Sequence, residues 1–375
     1  MEWRYRCPAC GFEAEPEPVL WQCPACAGEL LIDGLPDRAV DASAHAAGIW
    51  QFESILPVET PSAGTLLGEG DTPLIPFHVD GVTIHLKLDS LLPTGSFKDR
   101  GAAVLCQYLK RVGVTRIIVD SSGNAAASMA AYAAATGLEC TVYVPASASP
   151  GKLVQARAAG ACVVPVEGSR DDVAAAAQQA ADSDRTASYA SHNWHPVFVE
   201  GVKTWALETH RQLGGQLPDA VYVPTGGGSA LVGAWRGFGA VSRSLPRLIA
   251  AQPEACSPIV RAWQEHAPVS RMEAGPTIAE GAKIALPSRP LQIQRALSET
   301  DGRGIAVSEE LLIDTLKLLW SRGVYVEPTG ALGVAACRVA ITNGEAVPTD
   351  TIVAHVTGHG LKSTPVIEQI MNESV

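Results

Sequence analysis

The chain has 375 residues, 47% of them hydrophobic, and its 28 Lys and Arg against 39 Asp and Glu give a formal net charge of −11 at pH 7. That length suits about two domains, and the acidic balance argues against nucleic acid or an anionic membrane as the main partner. The N-terminus MEWRYRCPAC lacks a signal-peptide core and no apolar run could span a bilayer, so we expect a cytoplasmic protein.

Four of the nine cysteines lie in the first 26 residues, as two C-x2-C pairs separated by twelve residues: Cys7, Cys10, Cys23 and Cys26. Two such pairs supply four thiolates for tetrahedral Zn²⁺, and so short a segment has too little core to fold without a metal. We predict a zinc ribbon over 1–36 with a structural zinc. Rubredoxin-type iron and disulfides are the alternatives, and a reducing cytosol disfavours disulfides.

The other five cysteines are scattered through apolar segments, which predicts reduced core residues: Cys106, Cys140, Cys162, Cys256 and Cys337. Residues 31–65 have weak periodicity, which predicts a linker with one short helix around Trp50. The segment Glu69–Leu74 (EGDTPL) then opens the main body of the protein.

Lys98 lies in the segment PTGSFKDRG, between a strand-like run at Val82–Asp89 and a helix-like run at Ala102–Val112. The positive end of a helix dipole repels an ammonium group, which lowers the lysine pKa. It thereby favours the neutral amine that can form a Schiff base. A solvated loop lysine is the alternative interpretation.

Three more loops each follow a predicted strand, with the sequences SSGN at 121–124, TGGGS at 225–229 and TGHG at 357–360. Strands and helices alternate regularly from Thr115 to Ser191 and again towards Val356. Repeating βα units predict parallel sheets with right-handed crossovers. Loops at the carboxyl ends of such strands are where an open α/β sheet places its active site.

The segments TGSFKDRG, SSGN and TGHGLK, with EGVKT at 200–204 and EGDTPL, resemble the fold type II pyridoxal-phosphate enzymes over about 65–365. Among these they are most similar to the threonine synthase family. The resemblance implies two doubly wound parallel-sheet α/β domains after the ribbon. The large domain would comprise 37–97 and 189–375, the small domain would be 98–188, and the protein would be a homodimer.

The resemblance also implies which residues hold pyridoxal 5'-phosphate. Lys98 would carry the cofactor and act as the general base, while Asn124, which could also cap its helix, would bind the phenolic oxygen. Thr357 would face the pyridine nitrogen, where a hydroxyl leaves that nitrogen unprotonated and favours elimination and replacement. The cofactor phosphate would lie at a helix N-terminus, against Gly226, Gly227, Gly228 and Ser229.

The substrate would be a small amino acid. Its predicted contacts are Ser121, Ser122, Gly123, Ala125 and Lys203, of which the first three offer hydroxyls and amides to a carboxylate. Ala125 and Phe198 stand where threonine synthases carry a threonine and an arginine that help to hold a substrate phosphate. Losing a bidentate phosphate contact costs roughly 1.5–3 kcal/mol.

Two arrangements remain open at this position. An anion pocket could be rebuilt from other polar residues of the same segment, namely Ser191, His192, Asn193, His195 and Lys203. Alternatively, Trp194 and Phe198 could line a pocket for an uncharged substrate.

The leading hypothesis is a lyase that converts O-phosphohomoserine and water to threonine and phosphate. The alternative is a serine or threonine dehydratase, or a β-replacement enzyme similar to cysteate synthase. A cofactor-binding regulator or a zinc-ribbon interaction module is disfavoured, because Lys98, Asn124 and Thr357 are all present. A nicotinamide dehydrogenase is excluded because no G-x-G-x-x-G follows an early strand.

Overall fold

The computed structural model describes residues 3–36 and 46–373. The chain divides into two compact units, each built from segments that are distant in sequence. The first unit comprises Met1–Asp71, Leu92–Thr94 and Lys98–Thr204. The second unit comprises Thr72–Leu91, Gly95–Phe97 and Trp205–Val375.

Within the described ranges, the strands in chain order are β1 (Arg4–Arg6), β2 (Glu13–Ala14), β3 (Leu31–Asp33), β4 (Leu74–Val79), β5 (Val82–Leu88), β6 (Arg116–Asp120), β7 (Glu139–Pro145), β8 (Cys162–Val166), β9 (Ala187–Tyr189), β10 (Ala220–Pro224), β11 (Arg247–Pro253), β12 (Arg303–Val307) and β13 (Ile352–Val356). The α-helices are α1 (Lys98–Arg111), α2 (Asn124–Thr136), α3 (Pro150–Ala158), α4 (Arg170–Asp182), α5 (Pro196–Val202), α6 (Thr204–Gln212), α7 (Ser229–Gly239), α8 (Pro258–Gln264), α9 (Pro290–Glu299), α10 (Glu309–Ser321), α11 (Pro328–Thr342) and α12 (Thr364–Asn372). None of these helices combines the length and hydropathy that a membrane span needs.

The first unit begins with a small antiparallel sheet in the order β2-β1-β3. Its strands have only two or three residues, so the ladder contributes little stability by itself. Tyr5 pairs in register with Ala14 and Ile32 on the neighbouring strands and is buried. Its hydroxyl lies 3.3 Å from that of Tyr108 on α1, which ties this sheet to the rest of the unit.

The predicted linker contains a 3-10 helix at Gly48–Ile55, which confirms the short helix around Trp50, and a second one at Ala63–Thr65. Trp50 Nε1 donates to Glu69 Oε1 at 2.5 Å, so this stretch is anchored to the EGDTPL segment. The part of the predicted linker at 37–45 lies outside the described residues.

The main sheet of the first unit is parallel, in the order β8-β7-β6-β9. Helices alternate with its strands, as the βα pattern predicted. Cys162 is exposed, so its assignment to the core is wrong. The reason is that Cys162 opens β8, an edge strand, whereas Cys106, Cys140, Cys256 and Cys337 are buried as predicted.

The second unit contains a six-stranded sheet in the order β12-β11-β10-β13-β5-β4. All neighbours are parallel except β4 and β5. These two strands form a hairpin whose turn residues, Asp80 and Gly81, both have positive φ, as a two-residue Asp-Gly turn favours. The two open, mainly parallel sheets confirm the predicted α/β fold class.

The segment that follows His195 forms two helices, α5 and α6, interrupted at Lys203. Helix α5 begins at Pro196 because proline suits the first helical position, and His195 acts as its N-cap. Near the interruption, Thr204 Oγ1 donates to the Gly201 carbonyl oxygen at 2.7 Å.

Helices α1 and α5 approach each other closely through two glycines. A Cβ on Gly201 would lie 2.1 Å from the Arg100 carbonyl oxygen, and one on Gly101 would lie 2.6 Å from the Phe198 ring. Only glycine allows backbones this close without displacing one helix.

We expect Gly201→Ala to destabilise the protein by about 1–3 kcal/mol, because the added methyl group forces the two helices apart. Urea unfolding measures the change. Gly239→Ala is the matched control, since a Cβ there meets nothing within 4 Å. Equal unfolding midpoints for the two variants would show that the helix crossing relaxes freely.

Candidate active site

Lys98 is the first residue of α1 and is half-buried. The backbone N and Oγ1 of Thr94 donate to the Asp99 carboxylate at 2.7 and 2.5 Å, which ties down the first turn of this helix. Arg100 Nη1 donates to Thr204 Oγ1 at 3.1 Å. Asp99 and Arg100 therefore have local structural roles. Lys98 remains the candidate catalytic residue of the segment.

Phe198 is an aromatic neighbour of Lys98. The lysine Nζ lies 5.7 Å from the centroid of the Phe198 ring, and that ring is fully buried. The position at which the family resemblance led us to look for an arginine thus presents an apolar face to Lys98.

The SSGN loop joins β6 to α2. Gly123, rather than Asn124, is the N-cap of α2, and no side chain caps that helix. Gly123 N donates to Ser121 Oγ at 3.3 Å, while Ala125 is buried. A helix N-terminus without a side-chain cap leaves backbone amides for an anion, as the predicted carboxylate contact requires.

The TGGGS loop of the second unit joins β10 to α7. Gly228 is the N-cap, with φ 92°, and a Cβ there would lie 2.3 Å from Ile293 Cδ1. A Cβ on Gly226 would lie 2.7 Å from the Gly281 carbonyl oxygen. The loop therefore requires glycine at both positions, and no side chain caps α7. These features fit the predicted phosphate of the cofactor, with Gly227 and Ser229 in the same loop.

Thr357 follows β13 and is almost fully buried. Within the described part of the chain, its Oγ1 has no hydrogen-bond partner. A buried hydroxyl without a partner costs about 1–3 kcal/mol of folding free energy, so we expect a ligand to bind this atom. The pyridine nitrogen of pyridoxal phosphate fits it. The Thr357 carbonyl oxygen also accepts a bond from the backbone N of Phe97, the residue before Lys98, at 3.0 Å.

Two buried polar pairs on β5 and β13 and their neighbouring elements were missed by the sequence analysis. His355 Nε2 lies 3.0 Å from Asp89 Oδ2, and the His355 ring stacks on Trp205 with centroids 4.1 Å apart. Lys87 Nζ donates to Glu208 Oε2 at 2.8 Å, and both side chains are fully buried. The sequence does carry a signal for these pairs, because charged or polar residues stand inside otherwise apolar strands. A buried charge needs a partner.

Lys203 was predicted to bind substrate. The structure places its Nζ 2.6 Å from Glu200 Oε2 and 2.6 Å from the carbonyl oxygen of Ile55, in a buried position. A contact with substrate stays a prediction.

His192 is buried, with its ring centroid 6.1 Å from that of Phe198. Its Nδ1 has no hydrogen-bond partner within the described ranges. Burial first, and then the positive charges of Lys98 and Arg170, hold the pKa of His192 well below its usual value. A neutral imidazole therefore lies beside the apolar neighbour of Lys98.

This lowered pKa predicts acid sensitivity. Below pH about 6.5 the unfolded chain binds a proton at His192 that the folded chain does not, so stability falls with decreasing pH. We expect a contribution of up to about 1.4 kcal/mol per pH unit, which His192→Gln removes. Urea unfolding between pH about 5 and about 7.5 measures it. Exposed His78→Gln is the control, and identical slopes for wild type and His192→Gln would refute the effect.

The four ribbon cysteines converge on one point. The Sγ atoms of Cys7, Cys10, Cys23 and Cys26 all lie within 4.8 Å of one another, with Cys7–Cys26 at 3.5 Å and Cys10–Cys23 at 3.6 Å. Tetrahedral zinc with bonds of about 2.3 Å would place its sulfurs about 3.8 Å apart, so the group fits zinc. Four thiolates leave no open position, which favours a structural site.

Comparison with known proteins agrees with this geometry. Residues 65–358 match the family model described as pyridoxal-phosphate dependent enzyme. Threonine synthase of Methanocaldococcus jannaschii is 32% identical, over 95% of this chain and 92% of that protein. Threonine synthase of Mycobacterium tuberculosis is 35% identical, over 83% of this chain and 87% of that protein.

The similar solved structures include an enzyme that is named for a reaction other than threonine synthesis. The T.th. threonine deaminase is 31% identical, with a TM-score of 0.68, over 77% of this chain and 92% of that one. Maize serine racemase is 22% identical, with a TM-score of 0.69, over 80% of this chain and 92% of that one. At this identity the similarity shows the shared fold alone. The family match, the fold and the relatives together show that this chain belongs to the pyridoxal-phosphate dependent enzymes of fold type II and is a lyase that uses this cofactor.

Proposed function

We propose that this lyase eliminates the β-hydroxyl of a small hydroxy amino acid as water, with L-serine and L-threonine as the first candidates, and that water then hydrolyses the resulting enamine to an oxo acid and ammonia. The observation that carries the proposal is the buried Phe198 ring 5.7 Å from Lys98 Nζ. An apolar ring there offers no ligand to a phosphate ester, and Ala125 has no hydroxyl to replace the missing contact.

Two cations on neighbouring elements, Lys203 and Arg170, support the same proposal because each has a carboxylate partner. Lys203 Nζ lies 2.6 Å from Glu200 Oε2, and Arg170 Nη2 lies 2.6 Å from Asp120 Oδ2. Both carboxylates are buried. Taking either cation for a substrate phosphate would leave a buried carboxylate unpaired, which is strongly unfavourable.

The predicted site residues have distinct tasks in this reaction. Bound pyridoxal phosphate supplies the electron sink for the carbanion at the substrate Cα. Lys98 would hold the cofactor and would move the Cα proton of the substrate. The amides at the start of α2 bind the substrate carboxylate, with Ser121 and Ser122 beside them. Thr357 holds the pyridine nitrogen, and Asn124 binds the phenolic oxygen.

The formation of threonine from O-phosphohomoserine is the second candidate. The observation that favours it is the alignment of the Methanocaldococcus threonine synthase with 95% of this chain, which extends beyond the catalytic body. On this alternative, other residues of segment 191–203 replace the arginine. The homodimer implied by the family resemblance stays a prediction that light scattering checks.

One assay separates the two candidates. Purified, cofactor-loaded protein is given L-serine, L-threonine and O-phosphohomoserine in parallel, and oxo acid, ammonia, phosphate and threonine are quantified. We expect equal amounts of oxo acid and ammonia from a hydroxy amino acid. Equal amounts of phosphate and threonine, without oxo acid, would reject the dehydratase and establish the second candidate.

A further inference from the structure

The cysteine ribbon packs against the helix that begins with Lys98. Tyr5, on ribbon strand β1, is fully buried, and its hydroxyl lies 3.3 Å from that of Tyr108 on α1. The Tyr5 ring also meets the edge of His195 at a centroid distance of 6.4 Å. His195 is the N-cap of α5. One ribbon side chain thus contacts both α1 and the start of α5.

A second ribbon side chain, Trp21, lies two residues before the metal-site residue Cys23. Its ring packs edge-on against Tyr189 at 4.8 Å and against Trp194 at 6.0 Å. Close by, Ser188 Oγ donates to the Pro18 carbonyl oxygen at 2.5 Å. The ribbon therefore holds the end of β9 and the loop that follows it.

The loop held in this way leads directly to the neighbours of Lys98. Trp194 and His195 are followed by α5, on which Phe198 lies 5.7 Å from Lys98 Nζ. His192, from the same loop, has its ring 6.1 Å from Phe198. Side-chain contacts and the short backbone stretches between them thus connect the cysteine site to Lys98, all within the first unit.

We propose that the ribbon is a positioning element of the active site. Trp21 and Tyr5 hold segment 189–198 so that Phe198 and His192 keep their places beside Lys98, and the four-cysteine metal site holds Trp21 and Tyr5. The α/β part of the unit has its own sheet, so the ribbon is not needed to complete that sheet. The large rings of Trp21 and Tyr5 provide the contact area that fixes the segment.

The test compares Trp21→Ala with Trp21→Phe in the cofactor-loaded full chain. The first variant removes the ring, and the second keeps an aromatic face. Val19→Ala, in the same loop and 54% exposed, is the control. Three properties are measured: zinc content, hydrogen–deuterium exchange of 189–202, and the pH titration of the visible absorbance of the bound cofactor. None of them depends on which amino acid is the substrate.

We expect Trp21→Ala to keep its zinc and cofactor while amides in 189–202 exchange about 10-fold faster, because the segment opens locally. The absorbance titration should shift, and kcat/KM for whichever amino acid the wild type converts should fall about 10- to 100-fold. Trp21→Phe should bring the exchange rate, the absorbance titration and kcat/KM most of the way back to the wild-type values. Val19→Ala should match wild type.

If Trp21→Ala does not fold, two further measurements test the positioning role of the ribbon. Tyr5→Phe removes only the hydroxyl contact with Tyr108, and chelation removes the metal from the wild-type holoenzyme. Chelation should speed exchange in the ribbon and in 189–202 but not in α10. Unchanged exchange at 189–202 and an unchanged absorbance titration, in a chelated protein or in folded Trp21→Ala, would overturn the proposal.

Discussion

Replacing Lys98 with alanine should reduce turnover by about 10²- to 10⁴-fold or more, because the variant loses the group that moves the Cα proton. It also loses the covalent attachment of the cofactor, so the visible absorbance band of the linked form should disappear. Turnover of the active amino acid and the absorption spectrum of the reconstituted protein measure both effects.

Lys110→Ala is the matched control for this variant. Lys110 lies on the same helix, α1, but near its C-terminal end, where its side chain is exposed. It should keep the absorbance band and full turnover. A Lys98→Ala protein that retained the band of a covalently linked cofactor would contradict the assignment of Lys98.

Replacing Cys23 with serine should abolish tight metal binding and lower the melting temperature. Structural zinc contributes about 10–16 kcal/mol of binding free energy in zinc-finger peptides, and that energy is coupled to folding. The ribbon strands have only two or three residues each, so they offer little to replace the metal. We expect one zinc per chain in the wild type and none in Cys23→Ser, measured by elemental analysis and calorimetry.

Cys162→Ser provides the comparison. It removes an exposed thiol from an edge strand far from the ribbon in sequence, and it should keep both the zinc and the melting temperature. Wild-type protein that contained no metal and melted at the same temperature as Cys23→Ser would refute the zinc site. Iron in place of zinc would support the rubredoxin-type alternative.

The spacing of the cysteines and the position of Lys98 are local features, so the sequence was sufficient to predict them. A pair of C-x2-C knuckles brings its own four sulfurs together through tight turns. Similarly, the sequence of each βα unit indicates where its strand ends and its helix begins. This pattern predicted the loops at 121–124, 225–229 and 357–360. The fold class followed from the same alternation.

The immediate surroundings of Lys98 could not be derived in this way. Phe198 is 100 residues away in sequence, and its position depends on how closely α1 and α5 pack at Gly101 and Gly201. The buried pairs Lys87–Glu208 and His355–Asp89 join residues more than 100 positions apart. Burial of a charge signals that a partner exists but does not identify it.

From the sequence we could predict the candidate site residues, the alternation of strands and helices along the chain, and the two cysteine pairs, because these are features of short segments. The folded chain was needed to show that Phe198 lies beside Lys98, that Cys162 is exposed, and that the ribbon packs on the loop leading to α5. These properties depend on contacts between distant segments, and the periodicity of a single segment carries no information about which partner it will meet.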